Sequence, residues 1–416
     1  MDRISELSDD LLLKILSYAR AEDVVTTSLL SKRWNSLWKH VPKLEYVVIN
    51  TNITLRFVDN FLQLHKAPVL ETLHLILDIS VPQVDSHKWV SVAISRGVRD
   101  LKFVQFGQSL AISRGVRDLK TPRSLYKCQS LVKLHLQRVK IADIPLDINF
   151  PSLKKLTLKY VNFSSDEVFS IMLSSCPVLE ELFMCRSCNG VKKFTIAVPW
   201  LQRLVILEYS GGDDTGFVIN APSLKSLKIF ERVSQICSLV KMPELVKAEI
   251  DLDTSDSKKL LRCVTSAKHL SLCLKPQMMK DYNPPGDFNQ LVSLELCTNC
   301  TLYWLNHILR HAPNLRTLRF GQKYCYNSSD IQIKWEQPSF VPECLISSLE
   351  TVEWIRYRET EAEKEVATYL LANASYLKKM IFKSTAFSNL DLKNRVLMEF
   401  ESKPRSSSKC LISLIT

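Results

Sequence analysis

A short phrase, proline or serine followed by x-Leu-x-x-Leu-x-Leu, returns down most of this chain, and Pro151-Ser152-Leu153-Lys154-Lys155-Leu156-Thr157-Leu158 is its clearest copy. Aligned on the first leucine position, it recurs at Leu153, Leu179, Leu201, Leu224, Leu245, Ala267, Leu291 and Leu315, in steps of 26, 22, 23, 21, 22, 24 and 24 residues. Weaker copies start at Leu44, Leu70, Val98 and Leu131 upstream, and at Leu349 and Leu377 downstream. A unit of this length holds one strand and a return segment and cannot bury its apolar face alone, so successive units must stack on one continuous core. Function then belongs to an extended surface, and to whatever precedes it, rather than to a cleft in a globular enzyme fold.

The step lengths are those of leucine-rich repeats. Side chains alternate across a strand, which turns the second and third leucines inward and leaves the residues beside them on an open, concave sheet. On that face basic residues lead in the earlier repeats, and acids gather at Glu249, Asp251 and Glu295. Lys228, Lys247, Glu249, Asp251, Glu295 and Arg319 make a mixed-charge zone expected to select a protein partner, because paired charges of both signs reject mismatched surfaces. A nucleic-acid backbone asks for an unbroken basic track. The formal charge of +12 therefore describes a generally basic surface.

The first forty-five residues are different. Ser8 stands where it can cap a helix whose first turn carries Asp9 and Asp10, the charges favoured there. Leu11, Leu12, Leu13, Ile15, Leu16, Tyr18 and Ala19 then cover an arc of roughly 220°, against the ~100° stripe of an ordinary surface helix. One face can pack inside the segment; the other needs a partner. A second short helix is expected over about Glu22 to Ser28, and a third, opened by Ser31, carries Trp34, Leu37 and Trp38 at helical spacing. So few residues without disulfide or metal make a poor independent core, and the segment reads as a docking module.

Motifs for chemistry are missing. Asp251-x-Asp253-x-Ser255 begins like a calcium loop, but Asp256 stands where glycine makes the turn and Arg262 where a bidentate glutamate belongs. Cys185-x-x-Cys188 and Cys297-x-x-Cys300 have zinc-like spacing, yet each follows a repeat strand, and buried or turn thiols are the better reading. Ser210 to Gly216 resembles a phosphate loop without its lysine and is expected to join two repeats. No cofactor, metal or catalytic group is expected. The opening residues lack a secretory pattern, no stretch reaches the ~18 apolar residues of a spanning helix, and the cysteines are expected as reduced thiols in the cytosol or nucleus.

Leu7-Ser-Asp-Asp-Leu-Leu-Leu-Lys-Ile15-Leu16, Glu22-Asp-Val24-Val25 and Leu29-Leu30-Ser-Lys-Arg-Trp34-Asn-Ser-Leu-Trp38 closely resemble the F-box. Ser8 stands where the usual proline follows the first leucine, a departure that changes helix entry and spares the apolar surface. The resemblance implies docking to a Skp-type adaptor and, through it, to the cullin and RING subunits of a ubiquitin ligase. It assigns Leu7, Leu11, Ile15, Leu16, Val24, Val25, Leu29, Leu30, Trp34 and Trp38 to the adaptor face or to the small core behind it, without separating the two. After Ser339, Leu349-Glu-Thr-Val-Glu-Trp354, an acidic helix over Glu359 to Asn373, Leu377-Lys-Lys-Met380-Ile-Phe382 and Pro404-Arg-Ser-Ser-Ser-x-Cys410 resemble the FBD domain of plant F-box proteins.

The expected fold is thus α/β: a three-helix F-box over residues 1–45, a leucine-rich-repeat solenoid with a parallel concave sheet over 46–338, and an FBD domain over 339–416 that continues and caps it, with Cys410 to Ile415 as an extra strand. The expected role is that of a non-catalytic substrate receptor of an SCF-type ubiquitin ligase; the alternative is a repeat scaffold that binds or sequesters a partner without ubiquitin transfer.

One oddity remains. Ala93 to Lys102 recurs residue for residue as Ala111 to Lys120, 18 residues later. Since 18 is below the ~20-residue minimum of this repeat class, both copies cannot serve successive rungs in the same way. One is expected to supply the strand through Val98, Leu101 and Phe103, the other an irregular excursion.

Overall fold

The computed structural model describes residues 4, 6–49, 51–107, 119–186, 191–208, 216–231, 235–252, 257–274, 287–298, 302, 305–321 and 335–416. They fall into two compact units, Met1–Leu201 and Gln202–Thr416.

In the first unit, helices α1 (Asp9–Leu16), α2 (Ala21–Thr26) and α3 (Lys32–Leu37) lead into strand β1 (Lys43–Val48), helix α4 (Asn52–Leu64), β2 (Thr72–Asp78), α5 (Gln83–Ser95) and β3 (Asp100–Phe106). Then come β4 (Leu119–Lys120), β5 (Lys133–Gln137), β6 (Val139–Ile141), β7 (Lys155–Lys159), β8 (Asn162–Phe163), α6 (Asp166–Ser174), β9 (Glu181–Arg186) and β10 (Lys193–Ala197). β1, β2, β3, β5, β7 and β9 pair in that order, all parallel. Parallel neighbours need a crossover, which α4, α5 and α6 supply for some rungs and short strands for others.

The second unit runs through β11 (Arg203–Glu208), β12 (Gly216–Asn220), β13 (Ser226–Glu231), β14 (Gln235–Leu239), β15 (Lys247–Leu252), α7 (Ser257–Cys263), β16 (His269–Leu274), β17 (Ser293–Cys297), α8 (Leu305–Arg310) and β18 (Thr317–Gly321). It ends with α9 (Glu343–Ser347), β19 (Thr351–Ile355), α10 (Glu361–Asn373), β20 (Lys379–Lys383), α11 (Leu390–Glu401) and β21 (Leu411–Ile415). Here β11, β13 and β15 to β21 pair in order, again all parallel.

The repeated phrase explains this core position by position. Leu153, Leu179, Leu201, Leu224, Leu245, Ala267, Leu291 and Leu315 are all buried, as are Leu70, Val98, Leu131, Leu349 and Leu377. The first rung needs a correction of phase. Leu44 pairs with Leu73, the second leucine of the next phrase, so the first position of that rung is Val41, also buried. The expected alternation holds in β2, β5, β7 and β20. It fails in β16, where Ser271 and Cys273 are buried along with the leucines.

The duplicated decamer does two different things. Its first copy closes α5, turns at Gly97 in the left-handed region (φ 72°) and enters β3, with Val98, Leu101 and Phe103 buried. Of the second copy only Leu119 and Lys120 are described; they form β4, which pairs with β6 in a separate three-stranded sheet. Ala111 to Asp118 lie outside the described residues.

In the C-terminal region, Thr360 and Glu363 form a reciprocal capping box that opens α10. Helix α11, which no motif of the sequence announces, buries Val396 and Phe400. Phe400 stacks on Phe382 at 4.7 Å, Phe382 on Trp354 at 5.1 Å and Trp354 on Phe320 at 4.5 Å, so an aromatic column runs through the last rungs.

Candidate adaptor-docking and partner-binding surfaces

The N-terminal module separates residues that the sequence left together. Leu12, Leu16, Val24, Trp34, Leu37 and Trp38 are buried. Leu11 is 49% exposed, Ile15 50%, Leu29 84% and Leu30 67%, while Leu7 and Val25 lie between. Tyr18, 82% exposed, joins the outward set; it belonged to the over-wide arc but was not singled out. Four large aliphatic side chains exposed on so small a module are more than a solvated surface explains.

Local chemistry holds the module in shape. Arg33 donates from Nε to Asp9 at 2.9 Å and from a guanidinium nitrogen to the Leu7 carbonyl at 2.6 Å, tying α3 to the entry of α1. Ser8 has the extended backbone of a helix N-cap, but its side chain makes no capping bond, contrary to the expectation, and Ser31 likewise caps α3 without one. The second helix is Ala21–Thr26, continued by a 3₁₀ turn over Thr27–Leu29 that carries Leu29 outward.

The module is also fixed to the first repeat. Trp38 lies against Phe61 of α4, and His65 bonds through Nε2 to the Val41 carbonyl at 2.8 Å while Lys66 N–H bonds the Lys39 carbonyl at 2.7 Å. Trp38 is thus committed inside the protein.

The six residues of the expected mixed-charge zone all face away from the core of the second unit, but they do not form one cluster. Lys228 and Lys247 both reach Glu249, at 2.6 and 2.7 Å. Partial burial pushes the Glu249 carboxyl up, yet hydrogen bonds and charge from the two lysines outweigh it and hold the group at about 2. Arg319 lies three strands along, roughly 14 Å from Glu249 at ~4.8 Å per strand. It is paired instead with Glu353 at 2.9 Å, whose other oxygen takes Lys383 at 2.6 Å. Glu295 stands between the groups, opposite Ser271 and Arg319; Asp251 lies opposite Phe230 and Cys273.

Four of the six thus fall into two triads, each with two cations on one carboxylate: Lys228 and Lys247 on Glu249, and Arg319 with Lys383 on Glu353. Glu353 and Lys383 were missed. The signal was present, since Glu353 occupies the same slot in Leu349-x-x-Val352-Glu353-Trp354 as Arg319 does in its own phrase.

Cys185 and Cys297 are buried in strands; Cys188, Cys300, residues 253 to 256 and residues 209 to 215 lie outside the described residues. Among the described residues no helix is long and apolar enough to cross a membrane.

Family models match along the chain: the F-box domain over residues 4–46, the LRR repeats of FBD-associated F-box protein At5g56370 over 86–247, and FBD over 337–382. At5g56440, an FBD-associated F-box protein of Arabidopsis thaliana, is 49% identical over 99% of this chain and 100% of its own length. FBD-associated F-box protein At5g56370 of the same plant is 38% identical, covering 99% of each chain. F-box/FBD/LRR-repeat protein At5g56420 is 37% identical over 98% of each. A chain in the crystal structure of the Rad7 and Elc1 complex of yeast aligns over 74% of this chain and 77% of its own, at 15% identity and a TM-score of 0.36, too slight a likeness to carry an argument. With relatives of this identity along its whole length, the chain belongs to the FBD-associated F-box proteins with leucine-rich repeats.

Proposed function

We propose that this protein is a substrate receptor of an SCF-type ubiquitin ligase. The F-box of residues 1–45 docks a Skp-type adaptor, which brings the cullin and RING subunits. The repeats of 46–338 and the FBD domain of 339–416 present the surface that holds a protein substrate. An F-box joined to leucine-rich repeats supports the adaptor role. Catalysis belongs to other subunits; this chain contributes by raising the local concentration of the substrate. Its compartment is the cytosol or nucleus.

The observation that carries the reading is the division of the N-terminal module into a buried core, Leu16, Val24, Trp34 and Trp38, and an exposed face, Leu11, Ile15, Leu29 and Leu30. The fully buried core of a protein interface is apolar and its rim polar, which these four exposed aliphatic side chains can supply. The substrate face is proposed at Lys228, Lys247, Glu249, Asp251, Glu295 and Arg319, where two charge triads lie on rigid strands.

The test is co-purification of the full chain with a Skp adaptor and cullin from plant cells. Leu11→Asp with Leu29→Asp places two charges on the exposed face and should abolish recovery of both while the melting temperature holds. Full recovery of adaptor and cullin by that variant sinks the docking reading and favours the alternative, a scaffold that sequesters a partner without ubiquitin transfer.

A further inference from the structure

Three ladders of side chains run across the open face of the first unit, set by the register of its parallel strands. One carries Lys43, Thr72, Asp100, Lys133, Lys155 and Glu181; the next Glu45, His74, Lys102, His135, Thr157 and Phe183. The third ends at Gln137, Lys159 and Cys185. Most charges here are matched: Lys43 with Glu45 at 3.0 Å, His74 with Asp100 at 3.0 Å, Lys133 with Asp100 at 3.3 Å and Lys155 with Glu181 at 2.8 Å.

Two cations are left over. Neither Lys102 nor Lys159 makes an ion pair among the described residues; Lys102 acts on Glu45 only at longer range, and Lys159 lies 5.2 Å from the centre of the Phe183 ring. Between them stands His135, opposite Lys102 in the register. Its Nε2 is buried and has no hydrogen-bond partner among the described residues. Burial, then the charges of Lys159 and Lys102, push its imidazole down to about 4, so the ring is neutral at physiological pH. Two ammonium groups without an ion pair, on the strands either side of a neutral imidazole, make a local positive field that lacks its anion.

We propose that Lys102, His135 and Lys159 form an anion-binding anchor for a carboxylate-bearing segment of a partner polypeptide. The inference rests on the receptor reading above and adds to it the chemistry of what is received. One carboxylate on the open face can accept from the ammonium groups, above the neutral imidazole of His135, whose Nε2 lies buried beneath the surface. The flanking acids, Glu45, Asp100 and Glu181, confine the positive field to this spot. A phosphate backbone, which carries charge at every step, meets repulsion on either side, whereas a peptide with one or two acidic side chains fits. The site lies wholly in the first unit and is separate from the triads of the second.

The test measures fluorescence anisotropy of a labelled octapeptide containing three glutamates, with the full chain and its co-purified Skp adaptor at low ionic strength. The same peptide with glutamines is the first control. Wild type should bind the acidic peptide at least ten-fold more tightly than the glutamine peptide. K102Q with K159Q should abolish that difference, and K379Q should preserve it. A histidine C–H signal titrating near pH 4 without peptide should move upward with it and disappear in H135F. A peptide carrying phosphoserine for glutamate separates the two sources of negative charge: the glutamate peptide should bind at least as tightly, and a clear preference for phosphoserine through Lys102 and Lys159 overturns the carboxylate assignment. Equal affinity of the K102Q/K159Q protein and wild type overturns the proposal, as does displacement of the peptide by a single-stranded octanucleotide at equal concentration. Adaptor co-purification is read in the same samples, so a failure of docking is distinguished from a failure of the anchor.

Discussion

The rings of Trp38 and Phe61 lie 5.7 Å apart, centre to centre, and are tilted by 45°. One belongs to the end of the F-box module, the other to the helix of the first repeat. A ligase receptor must hold its substrate at a set distance from the transfer machinery, and a fused aromatic joint keeps that geometry better than a linker does. Phe61→Ala should cost about 3–5 kcal/mol of local stability and open the segment around Val41 to limited proteolysis, while adaptor recovery falls far less than for a surface variant. Proteolysis at the wild-type rate would contradict the joint.

Leu16 and Trp34 have the sequence pattern of adaptor contacts but are buried in the module. Leu16→Ala and Trp34→Ala should therefore each lower stability by about 2–5 kcal/mol, seen as early melting of the module in hydrogen exchange. Loss of adaptor binding without loss of exchange protection would return them to the docking face.

Glu249 gives a pH signature. Its folded value, about 2, lies below its ordinary value of 4.5, so the stabilisation is present above about pH 4.5 and is lost as pH falls toward 2. Glu249→Gln should melt lower than wild type at pH 7, by on the order of 1 kcal/mol because the group is partly exposed. The two should converge at pH 2. Parallel curves across that range would show that the two lysines do not act on this carboxylate.

From the sequence, reversing Glu249 and Arg319 together is expected to remove substrate capture and leave stability nearly unchanged. The pairing alters half of that expectation. Lys at 249 would meet Lys228 and Lys247, and Glu at 319 would meet buried Glu353, so the reversal should also lower the melting temperature. Glu249→Gln with Arg319→Gln avoids the repulsion. Proximity labelling with the cullin inhibited should then show the substrates lost; recovery of the wild-type set would move the site to the region after Ser339.

Glu363 is nearly fully buried and accepts from the backbone N–H groups of Arg358 and Thr360, at 3.1 and 3.2 Å. Glu363→Ala leaves both donors without it and should cost about 1–3 kcal/mol in chemical denaturation. An unchanged midpoint would mean that the cap is dispensable.

How much of this was legible in the sequence follows from the range of the interactions involved. The rung positions were legible because burial of a strand residue depends on a period of two and a phrase that repeats; even Ala267, which breaks the leucine pattern, sits where its spacing demands. The F-box and FBD regions were legible from the resemblance of their motifs, residue by residue, to those families, while the over-wide apolar arc of the first helix by itself indicated only a docking module. Three things were not. Which apolar residues of the N-terminal module face outward depended on how its helices cross, and α4 claimed Trp38 from a repeat that begins beyond the module. The partner of each charge depended on register: Glu249 and Arg319 look like neighbours in a list of surface residues, yet two strands part them, and a carboxylate binds the cation on its own or the adjoining strand. The positive field around His135 emerged only once Lys102, thirty-three residues earlier, came to lie beside it. Local pattern determines which side chains are buried; the lateral order of parallel strands, fixed by long crossovers, determines which charges meet.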